Sequence, residues 1–186
     1  MPSPGDPSVK PVRDHQRAAV YRAEAEAFTD TLLDVPIGLD ALHTLAGVLG
    51  ADPWWVATTR GAEPAVRAAR ADALRSVAVV DATGRWTVRI APGHDQVVTL
   101  SHELAHVLAG LTTGPAASPV AAHGPLFRAA HLAVATVLLG THGAGLLAAA
   151  YQREHLSLAA TTPWLAPPPP DDEHGLYGRW RQAIAL

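Results

Sequence analysis

The run Thr99-Leu100-Ser101-His102-Glu103-Leu104-Ala105-His106-Val107-Leu108 holds the pattern H-E-x-x-H. On a helix, residues four apart share a face, so the His102 and His106 imidazoles would converge on one point with Glu103 beside them. Zinc suits that arrangement. It takes neutral imidazole nitrogens and, in catalytic sites, keeps one tetrahedral position for water. Glu103 would then accept a proton from that water as general base. A hydrolase is expected if the pentapeptide is helical and a third ligand exists.

His123 is the candidate third ligand. It stands in His123-Gly124-Pro125-Leu126-Phe127, after a loop rich in Gly, Pro, Ser and Ala over residues 112–122. A histidine just ahead of a helix can be steered by such a loop onto a metal. Gly124 permits the tight entry, and Phe127 can wedge the new helix against the core. A structural zinc is normally closed by four protein ligands. Three good nitrogen ligands and no cysteine favour a catalytic ion here.

The other titratable groups have blander readings. His131, two helical turns beyond His123, reads as a core or surface histidine rather than a neighbour of the metal. Glu154 is a weaker carboxylate alternative to His123. His94 and Asp95 read as turn residues at a sheet end, and His43, His142 and His155 as surface or packing histidines. Arg67, Arg70, Arg75 and Arg89 fit a groove for an extended substrate or a solvated sheet face equally well.

The elements that must position these residues follow from periodicity. Asp95 is the expected N-cap of the motif helix, with Val97, Leu100 or Ser101, Leu104, Leu108 and Leu111 as its core stripe. Thr99, His102, Glu103, His106 and Gly110 fall on another face. Gly110, one turn past His106, is expected to leave room for a segment approaching the metal. Upstream, residues 75–80 and 86–90 read as an antiparallel hairpin with Trp86, Val88 and Ile90 buried and Thr87 and Arg89 outward. Residues 61–75 are ambiguous, and propensity favours helix there.

A first helix is expected from Asp14, with Tyr21, Ala25, Phe28 and Leu32 as its stripe and Arg17, Arg22, Glu24 and Glu26 on other faces. A second begins near Asp40 on Leu42, Leu45 and Leu49 and stops at Gly50. Downstream, Pro125 opens a third helix with Phe127, Ala130, Val134, Val137 and Leu138 inward. A fourth is expected from about Ala144 to Leu158, joined to the third by a glycine turn. Leu176, Trp180, Ala183 and Ile184 recur at helical spacing; docking on the domain or on a partner remains open.

The chain has 186 residues and a formal charge of −3, which fits one domain and a nearly balanced surface. That balance argues against nucleic acid or an anionic membrane as the main partner. With no cysteine, thiolate zinc sites and cysteine nucleophiles are excluded. The expected division is a disordered, proline-rich segment over 1–12, a metallohydrolase domain over 13–160, and a proline-rich linker with a short amphipathic segment over 161–186. Nothing at the N-terminus reads as a signal peptide, so the expected location is the cytoplasm.

HELAH followed by HGPLF resembles the SprT-like zinc metallopeptidase domain, whose pattern is HExxH, a loop, then H-G-x-x-F. Val12-Arg13-Asp14-His15-Gln16-Arg17 and Val20-Tyr21-Arg22-Ala23-Glu24 resemble the opening of a family of small actinobacterial metallohydrolases that share both motifs. This likeness spans about residues 12–158. It implies an α+β, minimal zincin-like fold, with a small antiparallel-containing sheet packed on the HExxH helix. It also implies His102, His106 and His123 as zinc ligands, Glu103 as base, and a strand over 64–70. The absence of a zinc ribbon or basic extension, which DNA-repair members of the SprT-like group carry, argues against action on DNA–protein crosslinks.

The resulting expectation is a zinc metallopeptidase acting on a peptide or protein, which the edge strand of the hairpin could bind by strand addition. Its rivals are a small-molecule amidohydrolase with the same machinery and a non-catalytic zinc-stabilised module. The module would recruit a partner through the tail around Trp164 and Trp180.

Overall fold

Apolar residues at helical spacing dominate this chain, and the elements they form are mostly helices packed on one another, with a small sheet against α2 and α4. A computed structural model describes residues 16–113, 122–169 and 173–185. The elements are α1 (Arg17–Phe28), a 3-10 turn (Leu32–Asp34), α2 (Leu39–Gly50), α3 (Pro53–Thr59), β1 (Ala65–Ala68), β2 (Val77–Val80), β3 (Trp86–Ile90), α4 (Val97–Thr113), α5 (Pro125–Arg153) and α6 (Gly175–Ile184). The fold is α+β. Its three-stranded mixed sheet has the order β1-β3-β2, with β3 parallel to β1 and antiparallel to β2.

The expected hairpin is present, pairing Ala78 with Val88 and Val80 with Trp86. Val88 and Ile90 are buried and Arg89 is exposed as expected, whereas Trp86 and Thr87 are both half-buried, so the alternation holds only over the second half of the strand. Residues 65–68 form a strand, as the resemblance implies for 64–70 and against local propensity for helix. The reason is tertiary: Val66 is buried and the segment completes the sheet beside β3, a pairing that alanine-rich local sequence does not signal. Helix α3 has no counterpart among the elements expected above. Its start signal is nevertheless present, with Asp52 accepting from the Trp54 N–H and Pro53 in the first turn.

Helix α4 begins at Val97, so Gln96 rather than Asp95 flanks it. The Asp95 carbonyl instead accepts from the Ile37 N–H at 3.0 Å. Val97, Leu100, Leu104 and Leu108 are fully buried as expected. Each such side chain contributes on the order of 1.5–3 kcal/mol by leaving water, which fixes the rotation of the helix and hence where its histidines point.

Helix α1 departs from its expected stripe. Val20, Ala23, Ala27 and Phe28 are buried, whereas Tyr21 is 41% exposed and Leu32 is 65% exposed. The helix lies between α5 and the cleft above α4, so Tyr21 and Glu24 turn to that cleft rather than to the core.

The third and fourth helices are one continuous run broken at Gly140, whose φ of 78° and ψ of −179° are not helical. A Cβ there would lie 2.1 Å from the Glu173 carbonyl oxygen, so only glycine lets the C-terminal segment pass this close. The helix ends at Arg153, short of the Leu158 expected. The described residues after 160, namely 161–169 and 173–185, pack on the body of the protein rather than forming a free tail. Trp54 donates to the Leu165 carbonyl at 2.8 Å, and Trp164, Leu176 and Tyr177 are buried. Of the residues at helical spacing in α6, Leu176 is buried and Ile184 is 64% exposed, and the helix packs on α5. By length and apolarity α5 passes as a membrane span, yet half of its most apolar window is buried within the protein, as a core helix would be. The expected disorder of residues 1–12 lies outside the described residues.

Candidate metal centre

His102 and His106 project from one face of α4, and His123 reaches them from the turn before α5. Pro125 at the first helical position starts α5 sharply after Gly124. The Nε2 atoms of His106 and His123 each lie 3.2 Å from His102 Nε2. One ligand atom from each ring falls within 4.8 Å of the other two. Ligands at 2.0–2.1 Å in tetrahedral array are separated by about 3.3–3.4 Å, so these spacings suit a tetrahedral ion of that size. An all-imidazole set without thiolate suits zinc, as it does copper, nickel or iron.

Phe127, one turn into α5, packs against all three rings at centroid distances of 5.0, 4.3 and 4.9 Å for His102, His106 and His123. It therefore wedges under the imidazoles as well as against the core. Tyr21 of α1 stacks on His102 at 5.5 Å and tilts against His123 at the same distance.

Two residues that the motifs do not name complete the surroundings. Glu24 Oε1 accepts from His102 Nδ1 at 2.5 Å, which places the His102 proton on Nδ1 and leaves Nε2 as a lone pair. His131, 1% exposed, lies with Nδ1 3.4 Å from the same oxygen and 2.8 Å from the Tyr151 hydroxyl. His131 is thus buried, as a core histidine would be, and a close neighbour of the ligands. Glu24, His102 and His131 are themselves close enough to suggest a second ion. The 2.5 Å contact from Glu24 to His102 is instead a charge-assisted hydrogen bond, shorter than neighbouring ligands of an ion would be.

Burial and neighbours set the charges. Burial alone would push the His102 imidazole down, but the Glu24 carboxylate beside it outweighs this and holds it above the ordinary histidine value. Burial, reinforced by His102 and His123, pushes His106 down to about 2. His131 is pushed well down for the same reasons, with burial dominant. The neutral His106 ring favours cation binding, since ligating imidazole must be neutral. Burial raises Glu103, opposed by His102 and by the Ala78 N–H, which donates to its carboxylate from the edge strand β2.

His102 and Glu103 open onto a cleft of about 550 Å³ between α1 on one side and Leu74, Arg75, Ser76 and His94 on the other. Of the four arginines considered for a groove, Arg75 lines it; Arg67 and Arg89 are exposed elsewhere, and Arg70 pairs with Asp72 at 3.3 Å. Glu154 is not near the histidines and instead pairs with Arg22 at 2.7 Å. Gly110 leaves room for a different neighbour than expected: a Cβ there would meet the Trp86 ring at 2.3 Å. His43, His142 and His155 are exposed.

Comparison with protein-family models, curated proteins and solved structures returns no match.

Proposed function

We propose that this protein is a zinc-dependent hydrolase, a metallopeptidase of SprT-like kind, with His102, His106 and His123 as ligands and Glu103 as base. The observation that carries the reading is the convergence of three imidazole nitrogens, two pairs at 3.2 Å, beside a glutamate in an open cleft. HELAH and HGPLF, the motifs that resemble the SprT-like pattern, supply all four residues.

When bound, zinc contributes Lewis acidity, bringing the pKa of a coordinated water toward about 7 and polarising a carbonyl. The protein's residues do the rest. Glu103, oriented by the Ala78 N–H, takes a proton from the attacking water and delivers it to the departing amine nitrogen. Glu24 holds His102 in the tautomer that offers Nε2. The cleft between α1 and the Leu74–Ser76 segment admits an extended chain.

The rival reading, a module that recruits partners through its tail, is weakened by the burial of Trp164 and the packing of Tyr177 against the body. Glu103→Gln separates enzyme from scaffold. The variant is expected to bind zinc as wild type does and to lose turnover on a peptide library by about 100-fold or more. Equal turnover by the two proteins would refute the peptidase reading.

A further inference from the structure

His123 follows a run rich in small residues over 112–122. Arg128, in the first turn of α5, is 0% exposed and reaches back to it. Its Nη1 donates to the His123 carbonyl at 2.7 Å and to Gln16 Oε1 at 2.6 Å. Its Nε and Nη2 donate to the Ser157 carbonyl at 2.8 and 2.5 Å. One planar guanidinium thus joins the start of α1, the exit of α5 and the backbone of the third imidazole.

The chemistry requires this side chain. Three acceptors in different directions around a buried plane need the rigid fork of arginine, and a single ammonium cannot span them. Burying that fork is worthwhile only with its donors satisfied, so its partners hold the guanidinium as firmly as it holds them. The His123 carbonyl is bonded to the Cα that carries the ring, and that ring's Nε2 lies 3.2 Å from His102 Nε2, so a shift of this backbone anchor displaces the ligand nitrogen.

We propose that Arg128 is the positioning residue of the third metal ligand, acting on cation affinity through the His123 carbonyl. The inference rests on the three-histidine reading of the centre.

The test titrates the full chain with zinc(II) against a chromophoric chelator and with cobalt(II) by visible absorption. The proteins are wild type, Arg128→Lys, His123→Ala and the double variant, with the melting temperature of each metal-free protein recorded. Arg128→Lys is expected to weaken zinc binding by about 10- to 100-fold and to reduce the cobalt(II) absorption of a tetrahedral site. In the His123→Ala background the same substitution is expected to add nothing, because its route to the metal is gone. A lowered melting temperature with unchanged zinc affinity, or equal losses in both backgrounds, would overturn the proposal. If Arg128→Lys does not fold, Gln16→Leu removes one anchor of the fork and is expected to cost roughly twofold to tenfold in affinity; no change there overturns it equally. A wild type that binds neither ion refutes the three-histidine reading itself, whereas normal wild-type binding with an unaffected Arg128→Lys refutes the Arg128 inference alone.

Discussion

Replacing Glu24 by glutamine probes how far the metal site extends beyond its motif. The carboxylate accepts from His102 Nδ1 at 2.5 Å, with the two side chains 18% and 6% exposed. Glutamine keeps the shape but removes the charge. A hydrogen bond to a charged group contributes about 1.5–3 kcal/mol. At about 1.4 kcal/mol per factor of ten, losing that whole contribution would weaken zinc binding by roughly 10- to 150-fold. Partners of ligating histidines are typically worth about 10- to 100-fold, in agreement. Because the amide oxygen of glutamine can still accept, the lower end is expected, near tenfold. Competition titration with a chromophoric chelator at near-neutral pH measures it. Affinity within twofold of wild type, or an equal loss when His102 is already alanine, would refute the tautomer argument.

Two further perturbations probe the frame. Gly110→Ala places a methyl group 2.3 Å from the Trp86 ring and is expected to destabilise the fold by about 1–3 kcal/mol in urea unfolding; a neutral result would show that Trp86 is free to move. Asp81 accepts from Thr83 N, Thr83 Oγ1 and Arg85 N in the hairpin turn, and these bonds hold its carboxyl below the usual range. A depressed carboxylate stabilises above its unfolded pKa of about 3.9 and loses that contribution as pH falls through the folded value. Asp81→Asn should therefore melt below wild type at neutral pH, with the gap closing below about pH 4; a gap that is constant with pH contradicts this.

The motif helix and the third histidine were legible because their signals are local. His102 and His106 sit off a leucine stripe on α4, and His123 stands immediately before a proline that starts α5. Glu24 was not legible, because its contact to His102 crosses 78 residues and α1 carries a second glutamate, Glu26, beside it in sequence. One signal was available: Val20, Ala23 and Ala27 alone supply a sufficient core face, which leaves Tyr21 and Glu24 together on another. His131 is buried, as a core histidine would be, but its place beside the ligands is not legible for a related reason, since its partners Glu24 and Tyr151 come from α1 and the far end of α5. Strand β1 depends on its pairing with β3, which four residues of Ala-Val-Arg-Ala do not announce. The place where α5 breaks was narrowed by its glycines to a few positions, and the approach of Glu173 selects Gly140.

The most direct measurement is X-ray absorption at the zinc edge on the full chain loaded with one equivalent of zinc, compared with His123→Ala. The expected wild-type result is three imidazole nitrogens at about 2.0–2.1 Å and one light non-histidine ligand, with one imidazole lost in the variant. A wild-type chain that does not retain zinc, or an unchanged imidazole count in His123→Ala, would contradict the three-histidine centre.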